Sequence, residues 1–191
     1  PAMLVKLRVR VDGAGRPSDW TSEIWSPTHV QRPGSGSGYL RAAEALAEPP
    51  PAPVPQDPPE ERGGGGTRNA VPYYDIPAHR ILHHLVTEAP VRTSALRTLG
   101  AAANVFAIES LIDDLAARVG EDPLDYRLSM LTDPRARDIL ETVAARADWS
   151  RRGPGGEGQG LGLAFARYKN TAAYAAVAVA LKVDEEVRLE N

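Results

Sequence analysis

The 191-residue chain has no cysteine. That single absence removes disulfides, thiolate zinc sites, iron–sulfur ligands and a cysteine nucleophile. It leaves the compartment open, since a cysteine-free chain suits cytoplasm and periplasm alike. An excess of positive charge is also lacking: the formal net charge is −3. Nucleic-acid binding, which shows as a strongly basic footprint, gains no support. No apolar run approaches the roughly 20 residues of a membrane span. Signal-peptide features, heptad arrays and solenoid repeats are missing too. The first residue is Pro1 rather than Met, so the sequence reads as an excised piece.

What is present is ordinary for a globular protein, with 42% hydrophobic and 25% charged residues. Val5, Leu7, Val9 and Val11 alternate with Lys6, Arg8 and Arg10, the period of a half-buried strand. Asp12-Gly13-Ala14-Gly15 signals a turn, and residues 20–25 read as the returning strand of a hairpin. Trp20 and Trp25 are expected as core or interface anchors, and the basic residues as a solvated face. Residues 35–68 break this pattern. They open Ser35-Gly36-Ser37-Gly38, pass an Ala-rich stretch at 41–47, carry Pro49-Pro50-Pro51-Ala52-Pro53-Val54-Pro55, and close on Gly63-Gly64-Gly65-Gly66. Such composition buries too little apolar surface to offset its conformational entropy. The segment is expected to be a flexible surface insertion, with polyproline II at the prolines.

Three blocks follow: a hairpin portion at 1–34, the Pro/Gly-rich insertion at 35–68, and a mixed portion at 69–191. In the last, residues 76–87 suit a strand. Val105, Ile108, Ile112, Leu115 and Val119 share one face of a helix that Gly120 caps. Asp122-Pro123 and Asp133-Pro134 each read as an N-cap followed by proline in the first turn. The second opens a helix with Ile139, Leu140, Val143, Ala144 and Ala147 inward. Residues 153–162 suggest a flexible stretch, Val177, Val179, Leu181 and Val183 alternate, Asp184-Glu185-Glu186 turns, and Val187 starts back. The sum is an α+β fold, antiparallel strands and hairpins packed with two or three helices.

Several constellations invite chemistry. His79, His83 and His84 have zinc-like spacing on a helix, but β-branched neighbours and Pro77 favour a strand, which separates the pair. Surface or structural histidines are the expectation. Glu109 and Asp113 lie one helical turn apart; they suit acid–base work only if buried together, and otherwise bond nearby backbone or arginine groups. The Gly-rich run at 153–160 lacks the Lys-Ser/Thr of a phosphate loop and a strand before it. Ser94 has no Gly-x-Ser-x-Gly setting. The strongest candidate is the loop before the first helix. Arg97 and Gly100 stand just ahead of its N-terminus, where free N–H groups and the helix dipole favour an anion.

The same residues carry a likeness. Ala95-Leu96-Arg97-Thr98-Leu99-Gly100, then Asn104-Val105-Phe106-Ala107-Ile108-Glu109-Ser110 and Asp113-Asp114-Leu115-Ala116 resemble the molybdopterin-binding large subunit of the xanthine dehydrogenase/aldehyde oxidase family. The branch is the one containing isoquinoline oxidoreductase and nicotinate dehydrogenase, and the likeness is strongest at 73–149 and 158–174. It implies hydroxylation of aldehydes or N-heteroaromatic rings with water-derived oxygen at a molybdopterin-type molybdenum cofactor, with electrons leaving through an iron–sulfur subunit. The family's Arg-x-x-Gly falls on Arg97 and Gly100, which with Leu96 become cofactor-binding positions. Leu99 takes a substrate-pocket position where some relatives carry an aromatic, so ring stacking worth about 0.5–1.5 kcal/mol is lost. Ala101-Ala102-Ala103 replaces the Gly-Pro-Gln of many relatives, which suits the isoquinoline/nicotinate branch. The family's Gly-Gly-x-Phe-Gly loop and its Gly-x-Gly-Glu with the catalytic base do not occur. The chain alone is therefore expected to lack a catalytic residue and to need the remainder of the subunit. Two other readings stay open: a non-enzymatic interaction domain built on the proline-rich segment, and a histidine-based zinc enzyme.

Overall fold

A computed structural model describes residues 2–33, 39–52, 54–183 and 187–190, the last four as backbone only. The Ser35-Gly36-Ser37-Gly38 opening, Pro53 and the Asp184-Glu185-Glu186 turn lie outside the described residues. Six strands and three α-helices are present among them, an α+β arrangement. The chain divides into two compact units: residues 1–72 with 76–108, and residues 73–75 with 109–191. This division differs from a three-block reading because it falls within a helix.

In the first unit, β1 (Leu4–Val11) and β2 (Pro17–Pro27) form the expected hairpin. Asp12 builds its turn: one carboxylate oxygen accepts the N–H groups of Ala14 and Arg16, each at 2.9 Å. Trp20 and Ile24 face inward, each at 0% exposure. Ser22 bridges that face, accepting the Trp20 indole N–H at 3.0 Å and donating to Ala70 O at 3.1 Å. β3 (Ala78–Val86) joins the other edge of β2, but in parallel. The other strand pairs are antiparallel, as expected, and this one pair is the exception. Parallel neighbours need a long crossover, and the Pro/Gly-rich segment lies within it.

The glycine end of that segment also departs from expectation. Gly64, Gly65 and Gly66 are buried. Arg68 clamps the run, its Nε donating to Gly63 O at 2.7 Å and its Nη2 to Gly64 O at 2.9 Å. Backbone freedom is used here for close approach, not for flexibility.

The second unit holds α2 (Pro123–Ser129), α3 (Pro134–Arg146), β4 (Gln159–Arg167), β5 (Tyr174–Val183) and β6 (Val187–Glu190). α1 (Ala101–Val119) supplies its first eight residues to the first unit and the rest to the second. Both Asp-Pro starts are confirmed: Asp122 accepts from Leu124 N at 2.8 Å, and Asp133 from Arg135 N at 2.9 Å. Gly120 ends α1 at φ 71, as expected, though Val119 is exposed rather than inward. β4 already begins at Gln159, so only part of the 153–162 stretch is loop. The strands β4, β5 and β6 form an antiparallel sheet. On β5, which packs on α3, Ala176, Ala178 and Ala180 take the more covered positions, while Val177, Val179, Leu181 and Val183 face outward.

Asp133 does more than cap. Its second oxygen accepts the hydroxyls of Tyr174 and Tyr73, each at 2.6 Å, and Arg167 donates to the Tyr73 hydroxyl at 2.7 Å. These hydrogen bonds hold the Asp133 carboxyl down to about 2, below its ordinary 3.8, and Tyr174 is pushed up because its hydroxyl donates to that carboxylate. A depressed acid contributes stability above its ordinary pKa and loses it as pH falls through the folded value. The raised phenol contributes below its ordinary 10.0 and loses it above. Thermal melts of the wild type are therefore expected to drop below about pH 4 and above about pH 10. Asp133→Asn should flatten both limbs, and parallel curves for the two proteins would refute the link.

Candidate functional site

The segment leading into α1 is bent at two consecutive non-glycine residues, Thr98 at φ 78 and Leu99 at φ 54. A β-branched residue in the left-handed region is an outlier, and each such residue costs of order 1–3 kcal/mol. Local bonds shape the bend: Leu99 N–H donates to Leu96 O at 3.0 Å and Ala101 N–H to Thr98 O at 3.2 Å. Contacts distant in sequence hold it. Gly100 N–H donates to Gly65 O at 3.0 Å. A Cβ on Gly100 would lie 2.3 Å from Gly66 O and 2.6 Å from Gly65 O, so only glycine fits. One turn later Asn104, 1% exposed, donates from Nδ2 to Gly66 O at 2.8 Å and to Arg68 O at 2.9 Å. The first turn of α1 is thus laid directly on the glycine run.

Of the positions singled out in the sequence, Gly100 is buried and makes this seat. Leu99 is half-buried in the bend, while Arg97 and Leu96 are exposed, Leu96 at 68%. All four fall within a few residues of the helix start. Arg97 makes no ion pair or hydrogen bond among the described residues. Phe106, also on α1, is 75% exposed. Sequence reasoning passed over Asn104 and Arg68; the available signal was a polar residue on the helix face otherwise filled by Ala101, Ile108 and Ile112. Asn104 Oδ1 has no hydrogen-bond partner among the described residues. A buried acceptor left open beside a helix N-terminus is what a ligand N–H would satisfy.

The histidines are on β3, as a strand reading required. His84 stacks on Trp25, centroids 4.7 Å apart, and its Nε2 lies 3.2 Å from Glu23. Among the described residues no cluster of His, Asp or Glu is arranged to hold a metal ion. His29, buried beside Ser26 with Nε2 2.9 Å from the hydroxyl oxygen, is held below the ordinary imidazole range by burial. It is a neutral hydrogen-bonding group.

In the second unit, Glu109 and Asp113 meet one arginine that nothing in the sequence advertised. Arg127, 0% exposed, donates from Nε to Glu109 at 3.1 Å and from Nη1 to Asp113 at 2.6 Å. Phe165 N–H donates to the same Glu109 oxygen as Arg127 Nε at 2.9 Å, and the other oxygen accepts the Tyr74 hydroxyl at 2.7 Å. Burial pushes the Glu109 carboxyl up, against the pull of Arg127. With three hydrogen bonds on its two oxygens, this buried carboxylate joins α1, α2 and β4 as a structural anchor.

Residues 64–131 match the family described as molybdopterin cofactor-binding domain. A nicotinate dehydrogenase subunit of Pseudomonas putida KT2440 is 40% identical over 110 residues, 54% of this chain and 9% of that protein. The beta subunit of isoquinoline 1-oxidoreductase from Brevundimonas diminuta is 42% identical over 99 residues, 51% of this chain and 12% of that protein. The matches thus span only about a tenth of these relatives. Quinoline 2-oxidoreductase from Pseudomonas putida 86 shares the fold, with a TM-score of 0.55 at 17% identity, over 86% of this chain and 21% of that one. The chain is accordingly similar over about half its length to subunits of nicotinate dehydrogenase and isoquinoline 1-oxidoreductase, and its residues 64–131 match a molybdopterin cofactor-binding domain.

Proposed function

We propose that this chain is part of a molybdenum hydroxylase subunit that oxidises aldehydes or N-heteroaromatic compounds with water-derived oxygen, and that residues 96–104 form one wall of its cofactor site. The observation that carries the reading is the strained Thr98–Leu99 bend at the N-terminus of α1, inside the matched residues 64–131. Strain of this kind persists where surrounding structure enforces it and clusters at ligand sites. A molybdopterin-type cofactor fits the donors present. Free N–H groups of the first helical turn and the exposed Arg97 suit its anionic part, and the open Asn104 Oδ1 suits an N–H. When bound, the cofactor carries the redox chemistry. The chain's own residues then do limited work: Gly100 lets the helix seat, Arg97 supplies charge, and Leu96 and Leu99 offer aliphatic surface. Electron transfer to an iron–sulfur partner belongs to the same proposal.

Arg97→Ala in the complete subunit tests it. Because the side chain is exposed, stability should stay within about 0.5 kcal/mol of wild type. Molybdenum content and turnover should both fall. Unchanged metal content and unchanged turnover would refute the assignment.

A further inference from the structure

The Pro/Gly-rich segment contains one carboxylate placed to act on the bend. Asp57 Oδ1 accepts His29 N–H at 3.1 Å, and its Oδ2 accepts Gly66 N–H at 2.5 Å. The residue before it is tied as well, since the Thr28 hydroxyl donates to Gln56 O. Thr28 is in turn fixed from another side, its carbonyl accepting the Thr93 hydroxyl at 2.8 Å. The carboxylate lies flat against Gly65: a Cβ there would be 2.3 Å from Oδ1 and 2.5 Å from Cγ.

The geometry at the next step is specific. The N–H of Gly66 and the C=O of Gly65 belong to one planar peptide group. Its N–H points to Asp57, while its C=O accepts Gly100 N–H at 3.0 Å. The following carbonyl, Gly66 O, accepts Asn104 Nδ2 at 2.8 Å. A rotation of the 65–66 peptide would break both the Asp57 bond and the Gly100 bond. A carboxylate on the N–H side also polarises the group, which strengthens the carbonyl as an acceptor.

We propose that Asp57 is a positioning residue: it fixes the Gly65–Gly66 peptide, and through it the Gly100 amide and the Thr98–Leu99 bend that faces the cofactor. The proposal rests on the reading of that bend given above. It assigns the insertion a task, since the proline-rich segment delivers the group that orients the helix seat. Gly65 is required for the same reason, as any side chain there displaces the carboxylate.

The test uses the complete subunit carrying Asp57→Ala, Asp57→Asn or Gly65→Ala. Amide hydrogen exchange is followed by mass spectrometry, and molybdenum is measured per folded subunit. Asp57→Ala should speed exchange in peptides covering 95–104 by about tenfold, the change expected from losing a charge-assisted hydrogen bond. Exchange in 134–146, within α3, should stay put. Asp57→Asn keeps one acceptor oxygen and should recover part of the protection, while Gly65→Ala should mimic Asp57→Ala. Unchanged exchange at 95–104, or a rise of equal size in 134–146, would overturn the proposal. If Asp57→Ala does not accumulate folded protein, the Asn variant decides by the same criterion. Faster exchange with full molybdenum retention supports the role of Asp57 and instead overturns the placement of the cofactor at the bend.

Discussion

Arg127→Leu is expected to destabilise the second unit by about 3–5 kcal/mol, because removing one partner of a buried ion pair leaves the other charge uncompensated. The side chain is fully buried and carries bonds to Glu109, Asp113 and the carbonyls of Pro123 and Glu109. Burial works against its charge, yet Glu109 beside it holds the guanidinium's pKa above its ordinary value. Urea unfolding followed by circular dichroism measures the loss. The double variant Glu109→Leu/Arg127→Leu should recover part of it, since two apolar side chains replace two buried charges. Recovery stays incomplete because the Tyr74 hydroxyl and Phe165 N–H lose their acceptor. A single-variant loss under about 1 kcal/mol, the range of an exposed ion pair, would show that the network is solvated.

The second large effect belongs to Gly100→Ala. The added Cβ meets two carbonyl oxygens at 2.3 and 2.6 Å, and neither can yield. Gly66 O is held by Asn104, and the run that carries both is clamped by Arg68. The expected cost is about 3 kcal/mol, the upper part of the range for overpacking, together with loss of molybdenum from the complete subunit. Two other glycines calibrate the result. Gly120 has φ 71 but open space around a Cβ, so Gly120→Ala should cost about 1–2 kcal/mol from backbone strain alone. Gly153 has open space and no positive φ, so Gly153→Ala should be near neutral. Equal melting temperatures for the Gly100 and Gly153 variants would refute the close-approach argument.

Local features of the fold are legible in the sequence, and long-range ones are not. The β1 alternation, both Asp-Pro helix starts and the Gly120 stop each depend on a few adjacent residues, and each is found in place. The period of β5 identifies a strand but not its inner face, because alanine and valine are both apolar and only packing against α3 selects the smaller one. The partner of β2 is invisible locally, since β3 returns only after residues 28–77. Gly63-Gly64-Gly65-Gly66 announces backbone freedom without revealing that Gly100 uses it. Arg127 gives no signal at all, its partners lying elsewhere along α1. At the bend, a basic residue and a glycine ahead of a helix are readable. The left-handed Thr98 and Leu99 are not, because neither residue type favours that conformation.

The parallel pairing of β2 with β3 bears on the order in which the molecule acquires its structure. A hairpin such as β4 with β5 closes a short loop, and such closures take microseconds. Bringing β3 beside β2 means closing residues 28–77 first, and that entropy is lost before any ladder bond compensates. The first unit is therefore the slower to assemble. Until its third strand docks, the β2 edge stands open on a nascent chain, the state in which edge-to-edge association competes with folding.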